Sequence, residues 1–80
     1  MTRNSRSPLP TKAITVESSV LAQVRYDRQW AILQVAFRDG AIYQYAGVPL
    51  QTYGELLRAE SKGAYFNRHI RTAFPCCRLP

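Results

Sequence analysis

Acid is scarce in this chain. Five aspartates and glutamates stand against eleven lysines and arginines, and none follows Glu60, so the last twenty residues hold Lys62, Arg68, Arg71 and Arg78 with no side-chain carboxylate to oppose them. Cysteine is scarcer still: Cys76 and Cys77 are the only two and are adjacent. Adjacent cysteines cannot staple distant segments, which excludes a disulfide framework within one chain and suits a reducing compartment. No apolar run approaches the ~18 residues that span a bilayer, nor the shorter core of a secretory signal after Met1. A soluble, cytoplasmic protein is the expectation.

Catalytic equipment is also sparse. Asp27, Asp39, Glu17, Glu55 and Glu60 are scattered among turns and helix surfaces, so no pair of carboxylates is set up to divide acid and base roles. Neither a phosphate-cradling Walker loop nor a dinucleotide glycine fingerprint is present. His69 with Cys76 and Cys77 gives three zinc-type ligands, but vicinal thiolates fit a tetrahedral site poorly and no fourth ligand follows a known spacing. The expectation is a non-enzyme without metal or other cofactor.

What the chain does have is charge and a modest core. Eighty residues fit one domain, and 46% hydrophobic content with 11% aromatics is enough to fold one. A net charge of +6 favours a polyanion, or an acidic protein surface, over a membrane.

Residues 1–13 carry Arg3, Arg6, Pro8 and Pro10 with few apolar side chains, the composition of a disordered basic arm. From Val20 the pattern alternates. Val20, Ala22, Val24 and Tyr26 share one face of a first strand, opposite Gln23 and Arg25. After the polar turn Asp27-Arg28-Gln29, Ala31, Leu33, Val35 and Phe37 share one face of a second. Arg38-Asp39-Gly40 supplies a hairpin turn, and residues 42–46 read as a third strand. Gly47-Val48-Pro49 ends the sheet. Leu50, Tyr53, Leu56 and Leu57 then recur at helical spacing to about Glu60. Gly63 is expected to break the helix in a left-handed conformation, after which residues 64–72 resume it with Phe66 and Ile70 on one side, and Pro75 ends it. The predicted fold class is α+β: a three-stranded antiparallel β-meander followed by two short helices packed on one sheet face (βββαα), spanning residues 14–75. Residues 76–80 read as a flexible tail.

The basic end concentrates the candidate binding residues. Arg68 and Arg71, three apart, stack on one helix face, while Lys62 and Gly63 lie at a helix start whose unpaired amides attract anions. Tyr43 and Tyr45 project from the same face of the third strand. On an open face they form a platform for RNA bases; under the helices they are core. Asn67 either caps backbone or meets a base edge. His69 lies four residues after Tyr65, so the two share a helix face from which the imidazole can donate to a base or a phosphate.

Together, Ser18-Ser19, Val35-Ala36-Phe37, Gly40, Tyr43-Gln44-Tyr45, Val48-Pro49, Tyr53, Ser61-Lys62-Gly63, Tyr65-Phe66-Asn67 and Ile70 resemble the KTSC domain. That small module is named for its place at the C-terminus of some lysyl-tRNA synthetases. The resemblance covers about residues 15–75 and implies a structured RNA partner with Lys62 as one contact. The N-terminal arm and the Cys76-Cys77 end fall outside it.

Two readings follow. The first is a nucleic-acid-binding module, for RNA more than DNA, in which Lys62, Arg68 and Arg71 hold phosphates and an exposed tyrosine stacks on a base. The second is a protein-interaction adaptor on a transcription or translation complex that uses the open sheet face to engage an acidic partner. A monomer is expected, with dimerisation through the sheet as the alternative.

Overall fold

The computed structural model describes residues 13–16, 18 and 20–80. The arm expected at residues 1–13 lies outside the described residues except for Ala13. Among the described residues, five strands form one antiparallel sheet in chain order: β1 (Ile14–Thr15), β2 (Leu21–Asp27), β3 (Ile32–Phe37), β4 (Ile42–Ala46) and β5 (Cys76–Leu79). Two helices, α1 (Leu50–Arg58) and α2 (Lys62–His69), stand between β4 and β5. The α+β class and the central meander agree with the sequence. The strand count does not, because a two-residue β1 pairs Ile14 with Val24 and the supposed tail, as β5, pairs Cys76–Leu79 with Tyr45–Ile42. Neither added strand has an alternation long enough to announce itself. Both are defined by pairing with a distant partner.

Register decides which side chains face the helices. Tyr26, Leu33, Tyr45 and Cys76 form one cross-sheet row, and Val24, Val35, Tyr43 and Arg78 the next. The β2, β3 and β4 members of these rows share a core with Leu56, Phe66 and Ile70 of the helical layer, while Cys76 and Arg78 at the β5 edge are exposed. Between them lies the row Arg25, Gln34, Gln44 and Cys77 on the opposite face, where Gln44 Nε2 donates to Gln34 Oε1 at 3.4 Å.

The first strand departs from simple alternation. A bulge between Leu21 and Gln23 adds one residue to β2, so Leu21 turns inward while Val20, expected in the core, is 40% exposed. One inserted residue exchanges the two faces of everything before it. At the other end of β2, Asp27 Oδ1 accepts from the Gln29 and Trp30 amides at 2.9 and 3.3 Å. The turn is completed by Ala31 in the left-handed region (φ 55°), whose carbonyl accepts from Val48 N at 2.9 Å. Trp30 is thereby held out to solvent, 67% exposed. The β3–β4 hairpin follows expectation: Gly40 takes φ 97°, and its amide donates to Phe37 O at 3.0 Å.

The helical layer corrects three expectations. α1 stops at Arg58 with Ala59 extended, before Glu60. Gly63 is not the breaker. It is buried within the first turn of α2 without a positive φ, facing Ser18 and Val20. The break is made by Ser61, whose Oγ accepts from Ala64 N at 3.2 Å and starts α2 two residues before the expected Ala64. α2 then ends at His69, where the Ile70 and Arg71 amides converge on Phe66 O at 3.0 and 2.9 Å as Ile70 enters the core, so Pro75 does not terminate it. Instead Pro75 O accepts from Ala46 N at 3.0 Å and delivers the chain to β5.

Aromatic rings join the layers. Phe66 is fully buried and meets Phe37 and Tyr45 edge-on at 5.5 and 5.4 Å. Tyr53 of α1 stacks on Tyr26 at 4.7 Å, and the Tyr26 hydroxyl donates to Val48 O at 2.5 Å. The helices are clasped at the surface by Tyr65, whose hydroxyl donates to Glu55 Oε1 at 2.7 Å. That hydrogen bond is the main cause holding the Glu55 carboxyl below its ordinary value. No described helix is long and apolar enough to cross a membrane.

Three outcomes follow from this packing. Phe66→Ala removes the ring that both layers share and lowers the unfolding free energy in urea by about 3–5 kcal/mol. Ala31→Gly relieves a left-handed alanine and raises it by about 0.5–1 kcal/mol. Tyr65→Phe returns the Glu55 titration toward the ordinary glutamate range in a carboxyl-resolved NMR experiment. Because the folded Glu55 value is depressed, the clasp contributes above the ordinary glutamate pKa and is lost as pH falls through the lowered one.

A candidate nucleic-acid cleft between the second helix and the last strand

The C-terminal end of α2, the β3–β4 turn and β5 surround a cleft of about 580 Å³. Its position follows from register. Arg78 lies opposite Tyr43, so strand alternation turns its side chain to the helix side, and its guanidinium carbon stands 6.0 Å from the Tyr43 ring centroid. Tyr43 in turn meets Phe37 edge-on at 5.7 Å, which gives the cleft an aromatic floor. Because α2 ends at His69, Arg71 leaves the helix face and lines the cleft together with Asn67, its Nη1 lying 3.4 Å from Asn67 Oδ1. Asp39 also lines the cleft, and its Oδ1 accepts from Ala41 N at 3.0 Å.

Tyr45 lies at the base of the cleft and is 3% exposed. Burial pushes its phenol up to about 12, and the neighbouring Cys76 thiol adds to the effect, so the hydroxyl stays protonated at physiological pH. Arg71 acts in the opposite direction without reversing it. Tyr45 is therefore core. The platform of two exposed tyrosines reduces to one, since both face the helices and Phe66 covers Tyr45.

Of the residues expected to form the site, Tyr43, Asn67 and Arg71 come together and Tyr45 supports them from below. The others do not join them. Lys62 Nζ donates to Ala59 O at 3.0 Å, closing the C-terminus of α1, and Gly63 is buried in the first turn of α2. Tyr65 is engaged with Glu55 and packs on His69 at 4.5 Å between ring centroids, and Arg68 is exposed on α2. The expected Arg68–Arg71 pair is split because a helix spacing no longer applies beyond His69. Arg78, Asp39, Thr72 and Cys76 line the cleft without having been assigned to it. Arg78 was legible as an unopposed cation, but its place depends on β5.

Comparison with known proteins agrees with this architecture. The KTSC domain family model matches residues 17–74, which include Asp39, Tyr43, Asn67 and Arg71 but not Arg78. An uncharacterized protein of Stutzerimonas stutzeri (strain A1501) is 40% identical over 57 residues, 71% of this chain and 80% of that protein. A lysine–tRNA ligase of Trichormus variabilis is 38% identical over 58 residues, 72% of this chain but 10% of the ligase. The crystal structure of a KTSC domain protein from Yersinia pestis aligns with a TM-score of 0.84 at 32% identity, covering 88% of this chain and 99% of that one. With most of its length matched in sequence and in fold, the chain belongs to the KTSC domain family.

Proposed function

We propose that this chain is a non-catalytic nucleic-acid-binding module, for RNA in preference to DNA, and that it binds through the cleft between α2 and β5. The observation that carries the reading is that two arginines, Arg71 and Arg78, line one cleft together with Tyr43. Guanidinium groups recognise phosphate bidentately, and an aromatic ring takes a base on its face. A net charge of +6 draws a polyanion toward that surface. The lysine–tRNA ligases with a similar stretch are, by their name, proteins that act on tRNA, which supports RNA as the partner.

In this reading Lys62 supports the fold through Ala59 and the cleft cations hold phosphate. Fluorescence anisotropy with single-stranded RNA over a range of salt tests it. For single strands each phosphate contact adds about −0.7 to the log–log salt slope, so Arg71→Ala with Arg78→Ala flattens it by about 1.4. Lys62→Ala leaves the slope unchanged. Failure to bind tRNA or single strands even at low salt transfers the function to a protein partner, for which exposed Trp30 and Leu50 are the first contacts to test.

A further inference from the structure

We infer that the cleft takes one unpaired nucleotide and accepts guanine more readily than uracil, with Asp39 reading the base edge. This rests on the nucleic-acid reading above and adds to it a ligand class and a residue that selects it.

The starting observation is that the cleft is not uniformly basic. Arg71 and Arg78 share it with the Asp39 carboxylate. A site built only for phosphates gains nothing from a carboxylate, which repels them. A nucleotide carries an anionic phosphate at one end and N–H donors on its base edge at the other, and so matches both signs. At about 580 Å³ the cleft has the size of a small-ligand site, for which roughly 300–1,000 Å³ is usual.

Each wall supplies a distinct part. Arg78 lies over Tyr43 at 6.0 Å, the outer limit of a cation–π contact, so a base can take that ring face and release the guanidinium to the phosphate. Asn67 spends Oδ1 on Arg71 at 3.4 Å, which leaves its amide N–H groups for base acceptors. Asp39 is held by the hairpin, with Oδ1 accepting from Ala41 N at 3.0 Å beside left-handed Gly40, and keeps further lone pairs for a base. Guanine alone presents two adjacent N–H donors on its Watson–Crick edge, which fit a carboxylate in parallel. Uracil offers one N–H between two carbonyl oxygens, and the carboxylate repels both. A paired base exposes neither its face nor that edge, so duplex RNA cannot use the cleft in this way.

The test is anisotropy at low salt with the full chain and RNA octamers: all uridine, uridine with one central guanosine, the same with one central adenosine or cytidine, and a duplex of equal length. The guanosine octamer is expected to bind about tenfold more tightly than all-uridine, in line with one bidentate base contact. Asp39→Ser keeps a hydroxyl acceptor for the Ala41 amide but loses the guanosine preference. Tyr43→Leu weakens all single strands by about tenfold, as removal of a stacking ring does. Equal binding of every octamer and the duplex, with a normal salt slope, overturns the inference and leaves the nucleic-acid reading intact. A guanosine preference that survives Asp39→Ser overturns the role of Asp39. No binding to any RNA overturns both.

Discussion

Phe66 is the contact on which the remainder of the molecule depends. Its ring, fully buried, makes T-shaped contacts with Phe37 on β3 and Tyr45 on β4, so one side chain ties the helical layer to two strands. Edge-on aromatic contacts constrain orientation as well as distance, adding about 0.5–1.5 kcal/mol each beyond burial. With Phe66 seated, α2 has one rotational setting on the sheet. Gly63 then falls on the buried side of α2, Tyr65 reaches Glu55 on α1, and Asn67 is carried to the cleft.

Ile70 extends the same constraint past the helix. Entering the core requires the backbone to leave α-helical geometry, and the amides of Ile70 and Arg71 share the Phe66 carbonyl as it does so. Arg71 turns to the cleft as a result, and the chain is aimed through Pro75 at the free edge of β4. β5 covers that edge, which would otherwise present unpaired backbone groups to other chains. The strand that protects the sheet also brings Arg78 to Tyr43. Stability and the candidate site are thus built from one segment.

Much of this was legible. Strict alternation on β3 reported its buried face, and Gly40 reported its turn, because both are local consequences of side-chain period and backbone sterics. Arg71 and Tyr43 were legible as binding candidates from charge and aromatic placement alone, whereas Asn67 read as either a backbone cap or a base-edge contact. The inward turn of Leu21 was not, since a bulge depends on the partner strand's register. Nor was the hydrogen bond of Lys62: its ammonium reaches the Ala59 carbonyl because α1 ends before Glu60, and helix ends are set by what the next residues must bury.

By itself the sequence determined an α+β domain with a central three-stranded meander and a basic C-terminal segment, which follow from short-range pattern and composition, and its motifs carried the resemblance to KTSC domains. Only the tertiary structure decided that residues 76–79 form a strand, that Tyr45 is core while Tyr43 lines a cleft, and that Asp39, Arg71 and Arg78 line it together. The reason is that these are contacts between segments far apart in the chain. Their geometry is set by cross-strand register and by the burial of Phe66 and Ile70, neither of which leaves a periodic trace among the residues they bring together.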